Sequence, residues 1–224
     1  MKRLVFFDLD GTILDGKISC CNKYFAYLAK RNLITLQGYL GTISFPFRWA
    51  LQYRSEVFVH DLAYFAGLKL TMILEEAKKF FSLSLAGTIR QGIVSYLSDH
   101  IKSGDYVVLL TGAPLFLADL CADSLGLERK QVAASLLDLV AGTFTAKPPK
   151  QFPFGKEKLR IAEKIAQEKR LPLSKAVAYG NSFSDRYLLR EVGEAVAVTP
   201  SARLRYEAKK QGWAILDSKG KRIA

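Results

Sequence analysis

Two aspartates, Asp8 and Asp10, follow the apolar run Leu4-Val5-Phe6-Phe7 and precede Gly11 and Thr12. In extended chain, residues two apart project to the same side. Two like charges held together are costly unless a cation lies between them or one stays protonated. A hard divalent cation meets the first condition, and Mg²⁺ commonly takes one or two carboxylates together with phosphate oxygens. The bland reading of the same residues is a solvated acidic turn at a strand end.

Three further segments hold polar residues where apolar runs stop. Tyr106-Val107-Val108-Leu109-Leu110 ends in Thr111-Gly112, and Pro114 follows, so Thr111 also reads as a helix N-cap. Gly155-Lys156-Glu157-Lys158 opens an amphipathic stretch; taken alone, Lys156 reads as a solvated charge. Ala176-Val177-Ala178-Tyr179 ends in Gly180-Asn181-Ser182-Phe183-Ser184-Asp185.

These chemistry-bearing segments need elements to position them. The runs at 4–7, 106–110, 176–179 and 195–198 are short, apolar and stopped by polar or glycine residues, the pattern of strands buried on both faces of a parallel sheet. Trp213–Leu216 is a candidate last strand. Helical spacing covers Ile89–Lys102, Leu115–Leu125, Gly155–Arg170 and Ser201–Gln211. Val132–Phe144 reads as a β-hairpin. The alternation predicts an α/β fold: a Rossmann-like, doubly wound parallel sheet with ligands at the carboxyl ends of its strands. Residues 18–86 break the alternation. Four helices are predicted there, Cys20–Arg31, Leu33–Arg54, Val57–Ala66 and Thr71–Phe81. The expected division is a core of 1–16 with 87–224 and a small all-helical cap of 17–86.

In this order the segments resemble the haloacid dehalogenase superfamily of phosphatases. Asp8, Asp10 and Thr12 match its DxDxT motif, and Thr111-Gly112 its second motif. Lys156 at a helix start matches its third, and Gly180 to Asp185 its acidic fourth. The closest pattern is the phosphoserine-phosphatase-like subgroup, with a helical cap between motifs one and two. The resemblance implies that Asp8 is the nucleophile of an aspartyl-phosphate intermediate and Asp10 the general acid and base. Thr111, Gly112 and Lys156 would hold the phosphate, with Lys147 and Lys150 as fallbacks for the lysine. Asp8, Asp10 (through its main-chain carbonyl), Asn181 and Asp185 would hold Mg²⁺. Asn181 departs from the family's aspartate: an amide oxygen binds Mg²⁺ without bringing charge.

Lys and Arg number 33 against 21 Asp and Glu, a net +12 that favours anionic partners. The implied function is a Mg²⁺-dependent phosphomonoester hydrolase acting on a small phosphorylated metabolite such as a phosphoserine-like compound. One alternative is a lipid phosphate phosphatase of the phosphatidylglycerophosphatase type, with a peripheral contact to anionic membrane. It rests on the aromatic-rich segment bordered by Lys30, Arg31, Arg48 and Arg54. A non-catalytic anion- or nucleic-acid-binding relative is the other. No nucleic-acid reading motif occurs, so no specific nucleic-acid partner is expected. Cys20, Cys21 and Cys121 form no disulfide framework or zinc pattern. No stretch reaches the ~20 apolar residues of a membrane span. The expected location is cytoplasmic, with membrane association left open. His60 and His100 are expected in hydrogen-bonding roles away from the motifs.

Overall fold

The four residues of β1 (Leu4–Phe7) are all buried, and they divide between two cores by strict alternation. Val5 and Phe7 face one side, Leu4 and Phe6 the other, as the two-residue period of a strand requires. The computed structural model describes residues 2–224.

The other strands are β2 (Tyr106–Pro114), β3 (Val132–Ser135), β4 (Leu139–Val140), β5 (Thr143–Phe144), β6 (Val177–Gly180), β7 (Glu194–Val198) and β8 (Ala214–Leu216). The helices are α1 (Cys20–Lys30), α2 (Leu36–Tyr53), α3 (Leu70–Phe80), α4 (Gln91–Lys102), α5 (Leu115–Ser124), α6 (Gly155–Lys169), α7 (Arg186–Leu189) and α8 (Ala202–Gln211).

Six strands form one sheet in the order β3-β2-β1-β6-β7-β8, all neighbours parallel. The chain starts at the centre, winds out to β3, then returns across β1 to build the other half. The order therefore reverses beside β1, and ligands of such sheets sit at that crevice. Residues of α1, α3, α4 and α5 cover one face; α6, α7 and α8 cover the other. The doubly wound α/β reading of the sequence holds.

Two local expectations change. Val132–Phe144 is not one hairpin. Its first four residues are the edge strand β3, parallel to β2 and wholly buried; only β4 and β5 pair antiparallel. The all-buried pattern of Val-Ala-Ala-Ser suits a strand covered on both faces. Val57–Ala66 is not an α-helix either. It is turns and a short 3₁₀ segment, Ala63–Phe65. The Asp61 carboxylate accepts the Ala63 N–H at 3.0 Å, the kind of local side-chain bond that competes with helix formation.

The insertion leaves and re-enters at a closed neck. Asp15 N–H donates to Thr88 O, Arg90 N–H donates to Ile13 O, and Leu14 bridges Ile89. Its interior is continuous with the sheet: Tyr24, Leu28, Phe65, Ile73 and Phe80 share one apolar core with Phe7, Leu109 and Leu117. The β4–β5 hairpin, although it follows the neck by fifty residues, is bonded to the insertion through Gly67, Leu68 and Leu70. Helix α2 packs on this layer through Gly38, whose missing side chain lets the helix approach the Tyr64 carbonyl; a Cβ there would lie 2.6 Å from that oxygen.

Candidate active site

β1 delivers Asp8 directly beyond its last paired residue, in the crevice where the strand order reverses. Gly11 then turns the chain with φ +76°, a conformation that costs a side chain dearly. The Asn181 side chain also lies so close to Gly11 that no Cβ would fit between them. The first and fourth segments thus meet because one residue has no side chain. Arg90 secures the same loop. Its guanidinium donates to the carbonyls of Gly11 and Thr12 and pairs with Asp15 at 2.7 Å.

The centre of the site is Lys158. Its Nζ donates to Asp8 Oδ1 and to Asp185 Oδ1, each at 2.7 Å, and all three residues are buried. Thr12 Oγ1 donates to the other Asp8 oxygen at 3.3 Å. Burial pushes the Asp8 carboxyl up to about 7; Lys158 opposes that rise and Asp185 adds to it. Burial also works against the charge on Lys158, yet Asp185 and Asp8 together hold it protonated, above the ordinary lysine range.

Lys156, expected at this position, is exposed, with its ammonium 5.8 Å from the Tyr187 ring centroid. The correction follows from helical phase. Lys158 is three, four and eight residues from Ile161, Ala162 and Ala166, the buried stripe of α6. Lys156 is off that stripe. The spacing was present in the sequence and would have separated the two lysines.

Asp10 lies at the N-terminal end of α1. Its Oδ1 accepts the Cys20 N–H at 2.6 Å, and the Cys20 thiol is 3.4 Å from Oδ2. Burial raises the Asp10 pKa above the usual carboxylate value, with the Cys20 bonds pulling the other way. Cys20 therefore both packs in the core and contacts Asp10, a contact that the sequence pattern does not signal. Thr111 is buried in the carboxyl-terminal half of β2, three residues before its end, and lines the cleft with Gly112. Its hydroxyl accepts the Ala113 N–H and caps no helix: α5 begins at Leu115 without a side-chain cap.

Asp185 has both oxygens engaged. Oδ1 accepts from Lys158, and Oδ2 accepts the N–H groups of Asn181 and Ser182 at 3.1 and 2.9 Å. These bonds tie Asp185 to the lysine and to the Asn181 loop. His100, contrary to its expected remoteness, touches the strand that carries this loop: its Nε2 is 3.0 Å from the Tyr179 hydroxyl.

A cleft of about 900 Å³ opens above these residues. The sheet side contributes Asp8, Asp10, Thr111, Lys158 and Asn181. The insertion contributes Lys17, Phe58, Val59, Asp61 and Leu62, and Phe152 to Phe154 form another wall.

Residues 5–190 match the model of the haloacid dehalogenase-like hydrolase family. The chain belongs to that family. As a haloacid dehalogenase-like hydrolase it is an enzyme, and the non-catalytic alternative falls away. Phosphoserine phosphatase SerB1 of Mycobacterium tuberculosis is 28% identical over 218 residues, 95% of this chain and 70% of that protein. A putative hydrolase of Mycobacterium leprae is 28% identical over 225 residues, 98% of this chain and 74% of that protein. A Bordetella pertussis protein of unknown function has the same fold, with TM-score 0.80, 20% identity, and 97% and 99% of the two chains covered. A phosphoserine phosphatase structure carrying an analogue of a phospho-aspartyl intermediate matches with TM-score 0.64 and 18% identity, over 99% of this chain and 94% of that one.

Proposed function

We propose that this haloacid dehalogenase-like phosphatase hydrolyses a small phosphomonoester of the phosphoserine type through a covalent aspartyl-phosphate on Asp8. The observation that carries the reading is the double ion pair of Lys158 with Asp8 and Asp185 at the floor of a cleft walled in part by the insertion. In this reading 17–86 act as a cap over a core of 1–16 and 87–224.

Lys158 opposes the protonation that burial favours on Asp8 and offers positive charge to the phosphoryl oxygens. Asp8 attacks phosphorus, and the bond to the leaving oxygen breaks. Asp10, whose pKa is raised, gives its proton to that oxygen and the alcohol leaves. Asp10 then takes a proton from water as the water attacks phosphorus. The phosphorus–Asp8 bond breaks, releasing phosphate and the free carboxylate. Thr111 and the Gly112 N–H are suited to bind the non-reacting oxygens.

The donor set fits Mg²⁺. Asp8 and Asn181 supply hard oxygens, and the Gly11 turn brings the Asn181 amide against the Asp8–Gly11 loop. At the floor of the cleft Asp8 and Asp185 share the one ammonium of Lys158, with Asp10 close by, so a divalent cation would balance the remaining carboxylate charge. Asp8, the Asp10 carbonyl and Asn181 would hold the ion. When bound it supplies charge neutralisation for the phosphoryl group.

Lys17 and Asp61 give the cleft wall one charge of each sign, matching a zwitterionic leaving group. The test is turnover of phosphoserine and p-nitrophenyl phosphate with Mg²⁺, combined with mass spectrometry of rapidly quenched enzyme. A phosphoryl adduct on the peptide containing Asp8, lost with turnover in Asp8→Asn, is the expected result. Full turnover by Asp8→Asn would overturn the reading.

A further inference from the structure

Helix α2 is apolar on two opposite faces. Gly38, Gly41 and Phe45 point inward and are buried. On the other side Leu36 is 75% exposed, Leu40 57%, Ile43 67%, Phe47 86% and Leu51 98%. These five recur at spacings of three and four, so they form one stripe along the helix, within an arc of about 60–80° at 100° per residue. Contiguous apolar surface of this kind on a water-facing helix marks an interaction site.

Charge selects the occupant. From residue 16 to residue 55 the chain has six basic residues, Lys17, Lys23, Lys30, Arg31, Arg48 and Arg54, and no aspartate or glutamate. Arg48 flanks the stripe from within α2, Arg54 follows its last residue, and both are exposed. A second copy docking through the same stripe would bring two such acid-free basic segments together, and like charges across an interface repel. An anionic lipid surface takes both features at once, apolar side chains into the acyl boundary and basic ones at the headgroups. Among the described residues no helix is long and apolar enough to cross a membrane, which leaves α2 lying in the interface.

We propose that the outer face of α2 docks this enzyme on anionic phospholipid bilayers, with Leu40, Phe47 and Leu51 inserted and Arg48 and Arg54 on the headgroups. This goes beyond the catalytic reading and does not depend on it.

The test is flotation of the full chain with vesicles of phosphatidylglycerol and phosphatidylcholine, against vesicles of phosphatidylcholine alone. Binding to the anionic vesicles should exceed binding to the neutral ones by about tenfold and weaken with salt. Phe47→Glu with Leu51→Glu, and separately Arg48→Glu with Arg54→Glu, should each reduce it by about tenfold. Both pairs lie outside the cleft, so p-nitrophenyl phosphate turnover and the melting temperature report whether the variants remain folded. Failure of the wild type to float with anionic vesicles overturns the proposal whatever the variants do. So does a wild-type dimer that ignores vesicles and is dissociated by Phe47→Glu with Leu51→Glu, because the stripe would then belong to a second copy.

Discussion

Lys158 Nζ lies 2.7 Å from Asp8 Oδ1, joining residues 150 positions apart at the floor of the cleft. The contact is made where β1 ends and α6 begins, and the proposed phosphate-binding role of Lys158 rests on it. Lys158→Met should lower kcat/KM by about a thousandfold, the scale of losing a buried charge aimed at the reacting group. Lys156→Ala should stay within about twofold, since its ammonium is exposed. Steady-state kinetics of the two variants side by side make the comparison. Removing the lysine also leaves Asp8 and Asp185 without their cation, so Lys158→Met should lose about 3–5 kcal/mol of stability at neutral pH. Part of that should return in acid, where the carboxylates protonate.

Asp61 sits in the cleft wall with its pKa pushed up to about 6 by burial. If it pairs with the ammonium of the leaving group, KM for phosphoserine should rise as pH falls through about 6, when the carboxylate takes up a proton. Asp61→Asn should have a KM about tenfold higher that no longer changes across that range. p-Nitrophenyl phosphate, which has no amine, should show neither effect.

Glu76 ties α3 to α1. It accepts from Tyr27 Oη at 2.8 Å and Lys79 Nζ at 2.7 Å, and pairs with Arg31 at 3.2 Å. The Lys79 hydrogen bond leads the causes that hold its pKa below the usual glutamate value. A depressed carboxylate contributes stability above its unfolded pKa, and loses it as pH falls through the folded value. Glu76→Gln should therefore be less stable than the wild type at pH 7, by about 1–2 kcal/mol. The two melting temperatures should converge in acid below the unfolded pKa of glutamate.

In the proposed metal site Asn181 would supply an amide where a carboxylate would add charge. Asn181→Asp should lower the Mg²⁺ concentration giving half-maximal activity by about tenfold. Chelation should abolish activity in both forms. A larger Mg²⁺-induced rise in melting temperature for Asn181→Asp, recorded without substrate, checks the same point independently of turnover.

Chain chemistry alone was informative where a pattern is local. The apolar runs before Asp8, Thr111 and Asn181 are strands because their alternate residues face two covered surfaces, and each run stops where its polar residue enters the cleft. The helices around Leu28, Ile93 and Ile161 follow the 3.6-residue period in the same way. Asp61 misled the reading between Val57 and Ala66, because its side chain bonds the backbone of Ala63 and the helix-like spacing is not realised. Val132–Ser135 misled it because pairing with β2 is a long-range choice that no local spacing encodes.

The identities of Asp8, Asp10, Thr111 and Asn181, and their order at strand ends, follow from the residues themselves. Three matters depend on how distant parts of the chain meet. Sheet order and the phase of α6 place Lys158, and not its neighbour two residues earlier, between Asp8 and Asp185. The start of α1 brings Cys20 onto Asp10. The packing of α2 through Gly38 and Phe45 leaves the opposite apolar side in water. A strand or helix period states which residues share a face; what that face meets is set by contacts between segments far apart in the chain.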